Sequence, residues 1–321
     1  MEKQSSLDHP SDLSKKGIKV DIIIPTLNEE QTIGTLIQRI RSFFSDEDVS
    51  ILVVDGGSTD RTPSICRSQN IKFIVQKGKG KGRAIREAVD CSNADIIVFM
   101  DGDGTYSASD LHLLIEPLVN DMSDMVVGSR TLGRREKGSI TTFNKLGNAL
   151  FNRAINFAMN SSISDSLSGY RAIYRRTFND LILFGDNFEI EVEMTVEALI
   201  KGYRLLEVPI SYGLRKGSAT KLDPIHDGIR IGQTLLFILL NVKPLKFFGI
   251  LSLGFFIAGL YPASQVLYEK ILFGDIIHMP SVVFSSLLFV TAAVSLVLGI
   301  VSELQVRSRK RLEYLINKRL H

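Results

Sequence analysis

Two stretches of 21 residues, Phe247 to Leu267 and Ser281 to Val301, contain no Asp, Glu, Lys, Arg or His. As helices at ~1.5 Å per residue each would extend about 30 Å, the thickness of the hydrocarbon core of a bilayer. Such a pair is a membrane hairpin or, as the weaker reading, the buried hairpin of a soluble protein. Between the two, Tyr268 to Pro280 holds one lysine or arginine, Lys270, whereas Lys243, Lys246 and a tail carrying Arg307, Arg309, Lys310, Arg311, Lys318 and Arg319 flank the outer ends. By the positive-inside rule both termini and everything before the hairpin face the cytoplasm at a cell membrane crossed twice.

Upstream of the hairpin the period changes. From Ile18 to about Leu222, short β-branched apolar runs alternate with helical spacing, the pattern of an α/β domain. Val20 to Pro25 reads as a first strand, Ile33, Leu36, Ile37 and Ile40 as the inner face of a helix, Ile51 to Val54 as a second strand, and Thr62-Pro63 as the next helix opening. Ile71 to Val75, Asp95 to Met100, Met125 to Gly128 and Arg204 to Ile210 are further strands. Helices are expected over Arg83 to Val89, from Asp110 behind a Ser109 cap, over 143–159 and over 189–201. Pro224 to Asn241 is too short and too charged at its start to span, and fits an in-plane interfacial helix. The expected organisation is a disordered polar leader (1–17), an α/β domain (18–222), a juxtamembrane amphipathic helix (223–246), a transmembrane hairpin (247–301, with spans 247–267 and 281–301) and a basic cytoplasmic tail (302–321).

With 321 residues and 45% apolar content the chain can build a real core, and its net charge of +3 decides little. The basic tail suits an anionic lipid surface. No nucleic-acid motif occurs and basic residues are not interleaved with aromatics, which argues against a nucleic-acid partner. Cys66 and Cys91 are isolated and are expected to be reduced packing residues.

Three of the strands end in acids: Asn28-Glu29-Glu30, Asp55-Gly56-Gly57-Ser58-Thr59-Asp60 and Asp101-Gly102-Asp103. Ligands of open α/β sheets bind outside the carboxyl ends of the strands, and an Asp-x-Asp there can hold a hard divalent cation that in turn holds a diphosphate. Alone the motif reads as readily as a solvated turn, and no glutamate closes a calcium loop behind it. Acids from three strands repel one another unless a cation or hydrogen-bond donors compensate them, so one shared site is expected. The Lys77 to Arg83 run, with Lys81, alternates basic residues with glycines. Freed amides and lysines there are candidates for a nucleotide phosphate, the alternative being a flexible basic loop. Gly213 to Leu222 offers Arg215 as a planar fork and Lys221 as a point charge for diphosphate oxygens, or else a membrane-facing patch. Arg130 and Asn148 are candidates for an anionic acceptor at the membrane edge. Asp165-Ser166-Leu167-Ser168-Gly169-Tyr170-Arg171 reads alone as a polar turn. Glu189 and Glu193 share a helical face, meaning a solvated face or a site for hydroxyls or cations.

Together, Ile24 to Glu30, Val54 to Asp60, Asp101-Gly102-Asp103, Ser166 to Arg171 and Arg215 to Leu222 resemble family 2 glycosyltransferases, specifically the dolichyl-phosphate and polyprenyl-phosphate sugar synthases. The resemblance covers about 18–222 and implies a GT-A (Rossmann-like) domain; the two-span hairpin is similar to the anchor of some members. By position it implies that Pro25, Asn28, Glu29 and Asp55 line the nucleoside pocket, and that Asp101 and Asp103 serve the diphosphate and a Mg2+ or Mn2+ ion. Lys81, Arg215 and Lys221 would contact the donor, Arg130 and Asn148 the acceptor phosphate, and Asp165, Ser168 and Glu189 would support the sugar or nearby loops. Leu27 stands where many mannose synthases carry an aromatic residue and Thr105 where they carry a metal-binding glutamine. The Asp-Gly-Asp-Gly-Thr-Tyr and Leu-Ser-Gly-Tyr-Arg versions look more like archaeal enzymes that use UDP-glucose or UDP-N-acetylglucosamine.

The expected activity is therefore inverting transfer of a hexose from a nucleotide-sugar donor to dolichyl or another polyprenyl phosphate at the bilayer, for glycoconjugate synthesis or protein N-glycosylation. A GDP-mannose-dependent mannose synthase is the alternative. A processive polysaccharide synthase would need a Gln-x-x-Arg-Trp motif, and the chain has no tryptophan. An inert membrane scaffold is opposed by intact acids at all three strand exits. Self-association into a homo-oligomer is compatible with this plan.

Overall fold

In the computed structural model seven strands form one sheet in the order β3-β2-β1-β4-β6-β5-β7. Their bounds are β1 Val20–Thr26, β2 Val49–Asp55, β3 Lys72–Val75, β4 Ile96–Phe99, β5 Met125–Ser129, β6 Arg171–Tyr174 and β7 Leu205–Pro209. The structure describes residues 17–45, 49–136, 138, 142–215 and 243–320, with 232, 233, 236 and 240. Lys221, residues 1–16 of the leader and most of the expected interfacial helix lie outside the described residues.

The first half is parallel, with β1 between β2 and β4, and β5 pairs in parallel with β7. Strand β6 runs antiparallel to both β4 and β5 and joins the two halves. Because alternate residues of a strand face opposite sides, Ile22 and Ile24 pack on one face with helix α1 (Ile33–Phe43), whereas Ile23 packs on the other with Leu52, Val54 and helix α3 (Lys81–Asp90). Among the described residues, helices α2 (Thr62–Ser68), α4 (Leu111–Val119), α5 (Thr142–Met159), α6 (Arg175–Asp180) and α7 (Glu189–Lys201) also belong to this unit. Burial on both sides explains why the central strands read as continuous apolar runs.

Three expectations change. The segment ending at Arg171 is more than a polar turn: the Ser168 N–H donates to Asp165 O at 3.4 Å, but Asp165, Ser166 and Ser168 are buried and the segment leads directly into β6, whose Arg171, Ala172 and Ile173 are buried as well. Ser109 does not cap a helix from Asp110; a 3-10 turn spans Ala108–Asp110 and α4 starts at Leu111. Cys66 packs in the core, but Cys91 is exposed.

The chain divides into units Met1–Gly232 and Gln233–His321. The second holds helices α8 (Pro244–Phe273) and α9 (Met279–Leu320), each with a 30-residue portion long and apolar enough to cross a membrane. They pack on each other through Phe256 and Phe289, whose rings lie 5.4 Å apart, and through Ser252 Oγ donating to Ala292 O at 2.7 Å. Leu253, Ile257, Val283, Val290 and Val297 remain exposed, which suits lipid rather than a soluble core. Both helices outlast the uncharged stretches: the connection shrinks to Gly274–His278 because Glu269, still helical, accepts the Ile277 and His278 N–H groups at 2.8 and 3.0 Å.

Candidate active site

Parallel pairing brings the carboxyl ends of β1, β2 and β4 to one edge of the sheet, and side chains join the first two exits. Asn28, at φ 53°, donates its N–H to Ser58 Oγ and accepts the Thr59 N–H, both at 2.8 Å. The Glu29 N–H goes to Thr62 Oγ1 at 2.8 Å. Asp55 is buried and turned onto its own loop, accepting the N–H groups of Gly57 (3.1 Å) and Ser58 (2.8 Å) and the Ser58 hydroxyl. Pro25, half-buried, lies opposite Val54. Asn28 and Asp55 therefore shape the floor of the edge and Glu29 reaches over it.

Arg215 ties Glu29 to the β4 exit. Its Nη2 donates to Glu29 Oε1 at 2.9 Å and its Nε lies 3.7 Å from Asp103 Oδ2. The segment is seated there by Gly213, whose N–H donates to Thr105 O at 2.8 Å. Thr105 directs its N–H (3.1 Å) and hydroxyl (2.7 Å) at Asp103 Oδ1. Burial, and next the charge of Asp101, raise the Asp103 carboxyl above the ordinary aspartate value, opposed by Thr105 and Arg215.

Asp101 faces Lys81, whose ammonium also meets Glu191 Oε1 at 2.7 Å. Burial alone would lower the Lys81 pKa, but the two carboxylates outweigh it and raise it far above the usual lysine value. Gly169 belongs here because a Cβ on it would stand 2.8 Å from Lys81 Nζ and 3.0 Å from Asp101 Oδ2. Glu191, overlooked in the sequence, is 3% exposed and its Oε2 has no hydrogen-bond partner among the described residues. The signal was present: Glu191 stands in helical phase with the buried Met194, Thr195 and Ala198. Glu189 and Glu193 do something else. Glu189 accepts the Asn187 N–H at 3.2 Å and Glu193 those of Phe184 and Gly185 at 2.9 and 2.8 Å, so both brace the loop before α7.

That loop also occupies two amides of the glycine-rich run. The Gly82 and Arg83 N–H groups donate to Asp186 O at 2.8 and 3.3 Å instead of standing free for a phosphate. A Cβ at Gly82 would lie 2.2 Å from Gly185 O, and one at Gly80, where φ is 102°, 2.1 Å from Asp186 O. Gly82→Ala is expected to cost about 1–3 kcal/mol of stability by overpacking, seen as a lower Tm.

On the other side of the edge, Arg130 grips the fully buried Asp165: backbone N and Nε reach Oδ2 at 3.0 and 2.8 Å, and Nη2 reaches Oδ1 at 2.8 Å. Its guanidinium sits 5.4 Å from the centre of the Tyr212 ring, which packs on Tyr106, and the Tyr106 hydroxyl accepts the Gly169 N–H at 3.0 Å. This aromatic bridge connects the Arg130 group to the Lys81 group. Arg171 is completely buried and donates to the carbonyls of Ser166, Ser168 and Glu191, while Ser168 Oγ accepts the Tyr170 N–H at 3.3 Å. Ser168 thus supports the loop. Asn148 is half-buried on α5, one turn before Asn152.

Among the described residues no three Asp, Glu, His or Cys side chains are grouped to hold a metal. The acids of the three exits converge on Arg215, Lys81 and backbone donors. The Asp103–Asp101 pair still fits a hard cation of the kind held by one or two carboxylates plus substrate phosphates, since Thr105 occupies only Oδ1 of Asp103 and leaves Oδ2 facing the edge.

The glycosyl transferase family 2 domain matches residues 21–182. Glycosyltransferase AglJ of Haloferax volcanii is 39% identical over 253 residues, 78% of this chain and 82% of that protein. The dolichyl-phosphate hexose transferase of the same organism is 34% identical over 222 residues, 69% of this chain and 94% of its own. Among solved structures, glucosyl-3-phosphoglycerate synthase from Mycobacterium tuberculosis, crystallised with Mn2+, UDP and phosphoglyceric acid, superposes with a TM-score of 0.59 at 20% identity, covering 71% of this chain and 82% of that one. That likeness shows a shared GT-A fold.

Proposed function

Because the chain belongs to glycosyl transferase family 2 and is a glycosyltransferase related to dolichyl-phosphate hexose transferases, we propose that it transfers a hexose, glucose or N-acetylglucosamine, from a UDP-sugar to a polyprenyl phosphate of the dolichyl type. The observation that carries this reading is the convergence of Glu29 and Asp103 on Arg215 at the carboxyl edge of the sheet. A diphosphate laid against that edge meets a planar cationic fork on one side and an Asp-x-Asp on the other.

The acceptor needs little activation. A phosphate monoester has a second pKa near ~6 and is largely dianionic at neutral pH. An acceptor oxygen forms a bond to the anomeric carbon as the bond from that carbon to the diphosphate breaks. The pair of electrons leaves with the nucleoside diphosphate, the anomeric carbon inverts, and no general base is required. Arg215 offsets charge developing on the leaving group, with Lys221 as its companion. Arg130, held by Asp165, would offer its remaining Nη1 to the acceptor phosphate, and Asn148 on α5 is the second candidate for that phosphate. Glu191 Oε2, buried without a donor, suits a sugar hydroxyl that supplies one. Asp103 and Asp101 would hold Mg2+ or Mn2+, which supplies, when bound, positive charge against the departing diphosphate. The apolar helices α8 and α9 anchor the enzyme in the bilayer that carries its acceptor, with the α/β unit on the cytoplasmic side.

Incubating the full chain with a panel of radiolabelled UDP- and GDP-sugars and dolichyl phosphate tests this. UDP-glucose or UDP-N-acetylglucosamine is expected to give lipid-soluble label that chelator abolishes and Mg2+ or Mn2+ restores. No label from any donor would point to a scaffold, and label from GDP-mannose alone to a mannose synthase.

A further inference from the structure

The loop from Ser161 to Ser168 is fixed from two sides by residues to which nothing above gives a role. From α5, Asn152 and Asn156 lie one turn apart on one face. Asn152 Nδ2 donates to Ser164 O at 2.7 Å, and its Oδ1 accepts the N–H and the hydroxyl of Ser166 at 3.0 and 2.6 Å. Asn156 Nδ2 donates to Ile163 O and its Oδ1 accepts the Ile163 N–H, both at 2.8 Å. From β7, the Glu207 carboxylate accepts the N–H groups of Ser164 and Asp165 at 2.8 and 2.9 Å. The Ser129 hydroxyl, at the end of β5, meets Ser164 Oγ at 2.7 Å. Asp165 stands at the centre of these bonds and both its carboxylate oxygens go to Arg130.

A surface loop has no need of two asparagines and a carboxylate. A neutral amide at Asn152 satisfies both a carbonyl and an N–H of an irregular backbone, as a strand neighbour would, and so replaces the ladder this segment lacks. Glu207 is placed where its charge strengthens two N–H bonds.

We infer that Glu207 and Asn152 are positioning residues for the acceptor phosphate, acting through Asp165 to aim the Arg130 guanidinium. This rests on the reading of Arg130 as a phosphate contact. A guanidinium fork discriminates by angle, so a small displacement of Asp165 weakens phosphate binding while the donor edge, built on β1, β2 and β4, is untouched.

The test is a double-mutant cycle on the full chain in lipid nanodiscs. Initial rates are measured against dolichyl phosphate and against nucleotide-sugar for the parent, Glu207→Gln, Asn152→Asp, Arg130→Ala and each pair with Arg130→Ala. Glu207→Gln and Asn152→Asp are each expected to raise the acceptor KM about tenfold, the size of one lost or weakened hydrogen bond, with the donor KM within about twofold of the parent. In the Arg130→Ala background the same changes are expected to add less than about twofold, because they act through the residue removed. A full additional effect in that background, equal loss on both substrates, or no effect would each overturn the inference. So would failure of both single variants to fold, which would assign the loop to stability alone. An unchanged acceptor KM in Arg130→Ala would instead remove the phosphate role of Arg130 itself, a result read separately from the cycle.

Discussion

Asp103→Asn is expected to lower kcat/KM for the nucleotide-sugar by about 100- to 1,000-fold, the scale on which one group stabilising a departing charge acts. The geometry specifies how. Thr105 binds Oδ1 by two hydrogen bonds, so the substituted amide keeps its oxygen there and turns its NH2 to the edge now occupied by Oδ2. A donor replaces an acceptor beside Arg215, where it repels the guanidinium and cannot bind a divalent ion. Titrating the variant with UDP-sugar by calorimetry, with and without Mn2+, is expected to show weaker donor binding and loss of its metal dependence. Normal donor and metal affinity with chemistry alone abolished would make Asp103 a proton acceptor and overturn the base-free mechanism.

The parts of this protein that could be read from sequence are those in which one force dominates. Strands β1, β2 and β4 are buried on both faces and end at acids, so hydropathy and the stop signals agree, and α7 was visible over Glu189 to Lys201. Strand β6 escaped because its four residues include Arg171, whose charge is satisfied by carbonyls brought from Ser166, Ser168 and Glu191, and no local pattern announces such partners. The same cause hid the roles of the glycine-rich run, which is set by a backbone about 100 residues downstream at Asp186. Glu191 was overlooked for a different reason. Its neighbours Glu189 and Glu193 made the segment read as a polar face, whereas helical phase puts the middle glutamate inside, against Lys81. A charged side chain in a core position is the informative exception.

Lys81→Met is expected to destabilise the α/β unit by about 3–5 kcal/mol, the cost of removing one partner from a buried ion pair, and to abolish transfer. Its ammonium is the shared counter-charge of Asp101 and Glu191. Without it Glu191, 3% exposed, is left ionised in the core or must take up a proton, and Asp101 loses the contact that holds it beside Asp103. These two consequences separate. In Lys81→Met/Glu191→Gln the buried Lys81–Glu191 pair is neutral on both sides, and the Asp101 carboxylate that remains is the more exposed of the two carboxylates; replacing an ion pair by neutral groups of similar volume is often close to neutral. The double variant is therefore expected to regain most of the Tm lost in Lys81→Met while activity stays absent, because the edge still lacks its cation. Thermal unfolding followed by Tyr fluorescence, with transfer assays on the same preparations, decides it. If activity returned together with stability, Lys81 would be a purely structural residue, and the site would reduce to the Glu29–Arg215–Asp103 bridge.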